Sequence, residues 1–394
     1  MKRITRLPGN RVPFCAIAPM LLVVCQMAGA AGAPAVAAPR VQPVPADRAA
    51  GAAQTQAHDD GREQAFKLLD QYQATMSHLS SCIFKSKGSC DWSAHYTADM
   101  DQSQSGHRIV YESEELRFDG SRYKLCSKRW GPWVPYTYKE SNSLYDFLLW
   151  DGTNQWAYHD DPALGPGTAQ PKRIRSWLSL TDGEHSRKDH GLDVTLGAAV
   201  RVGYLLGYSP LGLKRVDVIL REAGAISVRG KPEVVGGAAC SVIDADTKAG
   251  RASIWLDPQR GYLIAKAEYH VRGGDFDGVH LQKPGTVMEF KMTGTRFKKV
   301  NETWVTMAGT MEIHKVWLPD GYENYLENYA ISEITLNPDF STMTNAFALE
   351  DVREGAQVRV NSARENYVWR SGMILPSATG VYQKSPRPQT ELMR

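Results

Sequence analysis

The sequence predicts a mainly β protein: one large antiparallel, curved sheet or incomplete β-barrel with an N-terminal helix and lid helices. Three observations predict this fold. Apolar residues alternate with a period of two along most of the chain, the alternating runs are short, and turn-forming pairs separate them at near-regular intervals. The turn pairs are Asp119-Gly120, Asp151-Gly152, Asp257-Pro258, Gly273-Gly274 and Asp320-Gly321.

Residues 1–37 have the pattern of a cleavable signal peptide. Basic residues open the chain, an apolar stretch follows from Phe14 to Met27, and overlapping A-x-A sites run up to Ala37. We therefore expect export to the periplasm. The alternative interpretation is a lipid anchor at Cys25, although Val24 occupies a position where lipidation signals usually have a small residue.

Charge argues against nucleic acid as a partner. Removing the four basic residues of the signal from the formal net charge of +3 leaves −1 for the mature chain. The remaining lysines and arginines form no cluster of the kind that nucleic-acid-binding proteins use.

The remainder divides into a tether, one domain and a tail. Residues 38–61 are rich in Ala, Pro, Gln and Asp and predict a flexible tether. From Glu63, apolar residues at spacings of three and four predict an amphipathic helix; they are Ala65, Leu68, Leu69, Tyr72, Met76 and Leu79. We expect the domain to span residues 62–375, with residues 376–394 disordered.

Alternation predicts the strands of this domain. They are Trp92–Ala98, Arg108–Phe118, Tyr123–Lys128, Gln155–Tyr158, Ala225–Val228, Ala239–Ala245, Arg251–Leu256, Tyr262–Val271, Val287–Phe297, Thr303–Trp317 and Tyr325–Leu336. Two segments between strands, Pro171–Leu180 and Val194–Tyr208, are predicted to be helical. The second is apolar on most sides and must therefore be buried against the sheet.

Motifs for catalysis are absent from the sequence. It contains no G-x-S-x-G, H-E-x-x-H, Walker loop or G-x-G-x-x-G. His159-Asp160-Asp161 precedes Pro162, which is more typical of a turn than of a metal site. We expect a non-enzymatic protein with no metal and no cofactor. A hydrolase with dispersed catalytic residues is the remaining enzymatic alternative.

Four cysteines follow the signal: Cys82, Cys90, Cys126 and Cys240. Their spacing matches no zinc pattern. Because Cys82 and Cys90 flank a short segment around Gly88, we predict a disulfide between them, with buried thiols as the alternative.

Aromatic residues on the strands suggest a ligand cavity. Trp156 and Tyr158 share one face by the period of two, and Trp255 lies on another strand. Together with Leu205 and Leu206 of the predicted apolar helix, they are the predicted lining of an apolar cavity.

Two stretches resemble the periplasmic lipoprotein carrier and receptor family, LolA and LolB. Residues 150–158 (WDGTNQWAY), running into Asp161-Pro162, are similar to that family's "DG-x-x-x-W-x-Y-x-x-P" strand. Residues 347–358 resemble its closing segment, with Val352 where a proline is usual. The resemblance implies an open barrel with helices as a lid over a cavity for acyl chains. It also implies an arginine that latches the lid, for which Arg117 and Arg122 are both candidates.

The sequence thus favours a non-enzymatic periplasmic protein that binds or carries a lipid or lipoprotein acyl chain. The first alternative is an envelope sensor or scaffold that binds a protein partner through its sheet. In that case large side chains would fill the interior.

Overall fold

A computed structural model describes residues 48–97, 105–131, 140, 143–161, 176–181, 203, 206–210, 214–276, 281–317, 321–360 and 367–377, with the backbone alone for residues 48–60. The predicted fold class is confirmed, because the described chain is mainly β. Its seventeen strands belong to one hydrogen-bonded sheet, and its α-helices are α1 (Arg48–Ser77) and α2 (Val216–Arg221).

Predicted turn pairs such as Asp119-Gly120 separate neighbouring strands, although six of the seventeen strands were not predicted. The first nine strands follow in chain order. They are β1 (Cys82–Tyr96), β2 (Gly106–Phe118), β3 (Tyr123–Trp130), β4 (Leu144–Trp150), β5 (Gln155–Asp160), β6 (Ser176–Thr181), β7 (Ala225–Val228), β8 (Glu233–Val235) and β9 (Ala238–Thr247). The later strands are β10 (Gly250–Asp257), β11 (Leu263–Arg272), β12 (Thr286–Val300), β13 (Thr303–Trp317), β14 (Gly321–Leu336), β15 (Gln357–Val360), β16 (Tyr367–Arg370) and β17 (Met373–Pro376).

Contacts divide the chain into two compact units. The first takes its residues from Met1–Ser80, Ser86–Val110 and Leu192–Ser332, and the second from Ser81–Lys85, Tyr111–Gly191 and Glu333–Arg394. Strands β1, β2 and β14 have residues in both. The sequence patterns predict one domain over residues 62–375.

In the first unit, β7 and β8 pair with β9, and β9 to β14 pair in sequence order, all antiparallel. Alternation gives most of this sheet one apolar and one polar side, although Val242 and Trp255 are buried on the side opposite Ile254. For example, Ile254, Ala267, Met292 and Met311 form a cross-strand row on the apolar side. Helix α1 is anchored here, since Thr75 Oγ1 donates to the Gly261 carbonyl at 2.6 Å and Tyr72 donates to the Gly207 carbonyl at 3.4 Å.

In the second unit, β2 to β6 form an antiparallel meander. Strand β15 then pairs parallel to β6, and β15, β16 and β17 continue antiparallel. We call one side of this sheet the strap side; it carries Phe147, Tyr158 and Leu178. The other is the His159 side, which carries Asp146, Leu148 and His159.

Several predicted elements need correction. Helix α1 begins at Arg48, inside the stretch predicted as a tether, because its alanine-rich composition favours a helix. The predicted helix Pro171–Leu180 is wrong over its described part, which is strand β6. Here cross-strand pairing with β5 and β15 overrides local propensity.

Most of the predicted helix Val194–Tyr208 lies outside the described residues. At its end, the Tyr208 N–H donates to the Gly203 carbonyl at 2.9 Å, and Gly207 has φ of +77°. This is the hydrogen-bond pattern that ends helices, with glycine in the left-handed position. The helix itself stays a prediction.

The predicted Cys82–Cys90 disulfide is contradicted by the structure. All four described cysteines are free thiols. Cys82 and Cys90 lie eight residues apart on the single strand β1, which separates them by about 26 Å at the rise of roughly 3.3 Å per residue. A disulfide needs Cα atoms less than about 7 Å apart. The segment around Gly88 is extended strand.

Candidate functional site

A long connection covers the strap side of the second unit. We call residues 337–356, between β14 and β15, the strap. Four of its side chains enter the core of this unit: Phe347, Leu349, Val352 and Ala356. They pack with residues from the strands beneath, which are Phe147, Leu149, Tyr158, Leu178 and Trp369. This side of the sheet is therefore filled by the chain itself.

Polar side chains fasten the strap. Lys124 Nζ donates to the Ala348 carbonyl at 2.8 Å and lies 3.2 Å from Asp351 Oδ2. The Tyr145 hydroxyl donates to the same carboxylate at 2.7 Å, and the Arg353 N–H donates to the Tyr158 hydroxyl at 3.1 Å. Burial favours a raised pKa for Asp351, but the hydrogen bond from Tyr145 and the charge of Lys124 outweigh it, so the pKa is lowered.

Both candidate latch arginines contact the strap. Arg117 Nη1 donates to the Ala346 carbonyl at 3.2 Å. The Arg122 guanidinium lies 4.5 Å from the centre of the Phe347 ring, which is cation–π distance. The two arginines therefore contact two adjacent residues of the strap, Ala346 and Phe347.

The predicted cavity residues are not brought together. Tyr158 is buried 5.1 Å from Phe147, measured between ring centroids. Trp156 packs against the same cluster and donates its indole N–H to Asp151 at 2.9 Å. Trp255 and Leu206 are buried in the first unit instead, Trp255 with its indole N–H on Glu233 at 2.8 Å. Leu205 lies outside the described residues.

Opposite the strap side, a different surface combines apolar and polar groups. On the His159 side, Leu116, Leu125, Leu148, Ala157, Ser179 and Arg359 form one cross-strand row over six strands. We call it the leucine row. Its three leucines are buried, Ala157 and Ser179 are half-buried and small, and Arg359 is exposed. The row spans about 24 Å, given a strand spacing near 4.8 Å.

A charged cluster lies beside the leucine row. Asp146 accepts a hydrogen bond from Arg129 Nη2, and its other oxygen is 2.6 Å from His159 Nδ1. The Trp177 ring stacks on the imidazole at 5.8 Å. Next to them, Ser127 donates to Glu112 at 2.5 Å.

The ionic contacts set the protonation states in this cluster. Burial acts to raise the pKa of Asp146, but Arg129 and His159 outweigh it and lower the pKa to about 2. Burial acts to lower the pKa of His159, but the Asp146 carboxylate raises it above its ordinary value. Arg129 Nε is buried with no hydrogen-bond partner among the described residues, so this donor can serve a bound acceptor.

Among the described residues, Ser127 is not paired with His159, and no metal site is found. Ser127 gives its hydroxyl to Glu112, so the Asp146–His159 pair does not hold that nucleophile. No group of three or more His, Cys, Asp or Glu side chains in the described part of the chain is placed to hold a metal ion. No described helix has the length and hydropathy of a membrane span.

Sequence reasoning missed the leucine row because it missed β4. Leu144–Trp150 is apolar at nearly every position, so it has no period of two. Such a run is typical of a strand buried on both sides. Asp146, the one charged residue in the run, was the available signal.

Comparisons with known proteins add little to this geometry. No family model matches the chain, and no curated protein matches it. A solved structure of a DUF1329 family protein from Desulfovibrio piger is similar over 71% of this chain and 98% of its own, with 12% identity and a TM-score of 0.33. The ywiB protein from Bacillus subtilis matches 64% of this chain and 94% of its own, with 6% identity and a TM-score of 0.16. At these TM-scores, neither likeness carries an argument about family or function.

Proposed function

We propose that this protein is a non-enzymatic binding or carrier protein of the periplasm, and that its second unit binds the acyl chain of a lipid or lipoprotein along the leucine row. The observation that carries the proposal is the composition of the row. Leucines stand at one end, Ala157 and Ser179 leave room in the middle, and Arg359 stands exposed at the other end. An amphipathic ligand has the same order of apolar tail and polar head.

Such a surface can bind an acyl chain without specific polar contacts along the acyl chain. Each buried methylene contributes roughly 0.8 kcal/mol, so several methylenes over Ala157 and Ser179 suffice for binding. The charged cluster adds a polar contact at the leucine end of the row, because Arg129 lies on β3 with Leu125 and its Nε offers a donor to an ester or hydroxyl oxygen.

The strap has a supporting role in this proposal. It occupies the side that carries Trp156 and Tyr158, so the ligand and the strap use opposite sides of one sheet. Trp156 and Tyr158 of the first family-like segment, and Phe347 and Leu349 of the second, then belong to the packed side, which keeps the sheet rigid under the ligand.

Two neighbouring leucines of β4 provide the test. Leu148 lies on the His159 side and Leu149 on the strap side, and both are buried. Leu148→Gln places an amide on the leucine row, so binding of a fluorescent fatty-acid analogue to the full chain should weaken about tenfold or more. Leu149→Gln is the matched control: it destabilises the core, but the folded fraction should bind with the wild-type Kd.

Three outcomes oppose the proposal. They are a folded wild-type protein that binds no acyl probe, a Leu148→Gln variant that binds normally, and loss of affinity through Leu149→Gln alone. The last would return the binding site to the strap side. Mass spectrometry of lipids that co-purify with the mature protein would identify the natural ligand.

One observation favours the alternative function of a sensor or scaffold. Large aromatic residues, among them Phe147, Tyr158 and Trp369, completely occupy the strap side, as expected for a filled interior. Under this alternative the folded protein binds an envelope protein and no acyl probe. The same titration therefore separates the two functions.

A further inference from the structure

In the first unit, β14 carries a stripe of acids and phenols where its neighbours are mostly apolar. Glu323, Tyr325, Glu327 and Tyr329 alternate along one side of the strand, and we call them the polar stripe. Their partners across β13 are Lys315, Ile313, Met311 and Gly309. The row continues through Met292 and Phe290 on β12, which are buried. A polar stripe within an apolar surface requires a reason, because burying such groups costs free energy.

One end of the polar stripe is satisfied by its own contacts. The Glu323 carboxylate accepts hydrogen bonds from both Tyr96 and Tyr325, the latter at 2.6 Å. This end needs no ligand.

The other end has a buried donor with no acceptor. Tyr329 is 4% exposed, and its hydroxyl has no hydrogen-bond partner among the described residues. The phenol lies across Gly309, because a Cβ at Gly309 would come within 2.5 Å of the hydroxyl. The glycine makes room for the phenol, so the position of this hydroxyl is built into the sheet.

A second buried donor faces the same strand from β1. Trp92 is 5% exposed, and its ring centroid is 6.4 Å from that of Tyr325. Its indole N–H makes no hydrogen bond of standard geometry among the described residues, although it lies close enough to the Tyr325 hydroxyl to act toward a lower pKa of that phenol. Indole is a donor only. Gly88 lies beside Tyr329 on β1, so Trp92, four residues further, stands about 13 Å away along the strand.

The charges near these donors limit which ligand head groups the site can bind. Lys315 lies 5.2 Å from the Tyr325 ring centre, and Arg108 lies 4.5 Å from the Trp92 ring centre. These two cations offset the carboxylates of Glu323 and Glu327, so the surface has no excess positive charge for an anionic head. Met292 and Met311 are buried beside the donors, and their flexible side chains can change conformation to make room for a ligand.

We propose that the apolar side of β12, β13 and β14 is a second ligand site that takes a neutral acyl ester or amide, whose carbonyl oxygen accepts a hydrogen bond from Tyr329 or Trp92. The choice of an acyl compound rests on the proposed function. The site, however, is a different surface in the other unit, and the leucine row plays no part in it.

The test compares a neutral ester with an acid of the same chain. Binding of monolauroylglycerol and of laurate to the full-length mature protein is measured by calorimetry below the concentrations at which they aggregate. The wild-type protein should favour the ester. Tyr329→Phe and Trp92→Phe should each weaken ester binding about three- to tenfold, the range for one lost hydrogen bond, and leave laurate unchanged.

Controls keep the outcome interpretable. Tyr329→Phe removes a hydroxyl that has no partner, so it should not destabilise the fold. Tyr322→Phe alters an exposed tyrosine of the same strand, 41% accessible, and should change nothing.

The proposal is overturned if laurate binds as well as the ester, or if neither donor variant affects ester binding, as expected when buried water alone occupies the donors. If Leu148→Gln abolishes acyl binding while Tyr329→Phe has no effect, this second site fails and the leucine row stands. If Leu148→Gln has no effect and the donor variants do, the leucine row fails instead.

Discussion

Lys124 and Asp351 form an ion pair whose members differ sharply in exposure: the lysine side chain is 3% accessible and the aspartate 47%. The lysine also donates to the Ala348 carbonyl, so one buried cation holds the strap at two points. This arrangement makes Lys124, on β3, a polar anchor for the strap.

Replacing Lys124 should loosen the strap. Lys124→Met keeps the length of the side chain but leaves the Ala348 carbonyl without its donor and Asp351 with the Tyr145 hydroxyl alone, at a cost of about 1–3 kcal/mol in the free energy of unfolding. Urea unfolding and limited proteolysis within residues 337–356 measure both effects. Lys128→Met, at an exposed position of the same strand, is the control. Equal stability of the two variants would contradict the role of Lys124.

The Asp146–His159 pair should make stability depend on pH at both ends. The pKa of Asp146 is lowered to about 2 in the fold, so its contribution is complete above the unfolded value of roughly 3.9 and is lost as pH falls toward 2. The pKa of His159 is raised, so its contribution is complete below the unfolded value of roughly 6.5 and is lost as pH rises through the folded value.

Stability from this pair is therefore greatest between about pH 4 and 6.5. Asp146→Asn should reduce the free energy of unfolding there, on the order of 2 kcal/mol, and should flatten both limbs of the profile. Urea titrations at a series of pH values provide the measurement. An acid limb that persists in the variant would assign the effect to other carboxylates.

A methyl group at Gly309 should clash with Tyr329. The Cβ would lie 2.5 Å from the hydroxyl and 2.9 Å from the ring carbon that bears it. Gly309→Ala should therefore destabilise the first unit by about 1–3 kcal/mol, and adding Tyr329→Phe should recover part of the loss. Gly230→Ala, where nothing lies within 4 Å, is the control. Additive effects of the two substitutions would show that the residues do not touch.

The cysteines should behave as unlinked thiols. Burial raises the pKa of Cys82 to about 12, and Cys90 and Cys240 are also buried, whereas Cys126 is partly exposed. A thiol reagent should therefore modify Cys126 first in the folded protein, and the others after unfolding. Peptide mapping without reductant that recovers a Cys82–Cys90 link would contradict the extended strand β1.

Local patterns were enough to predict the regular part of the fold. Strand β13 runs from Thr303 to Trp317, as alternation predicted, because one side of its sheet is apolar and the other polar. Strands β4 and β6 were not predicted, because pairing with neighbouring strands determines their structure and their sequences have no period of two.

The side on which a ligand binds depends on contacts that no local pattern records. Alternation correctly placed Trp156 and Tyr158 on one side of β5, but the strap that fills this side is donated from nearly 200 residues further along the chain. The sequence also did not predict the unpartnered donors of Trp92 and Tyr329, because the absence of an acceptor near them depends on which residues surround them in the fold.

The parallel pairing of β6 with β15 imposes an order on folding. Trp177 pairs with Gln357, so β6 has an open edge until about 180 further residues have been made and the strap has crossed the sheet; contacts this distant form slowly. An open strand edge is a template for aggregation. A chain that crosses a membrane before it folds would expose this edge for the whole interval, and a chaperone that covers β6 would protect it until its C-terminal partner arrives.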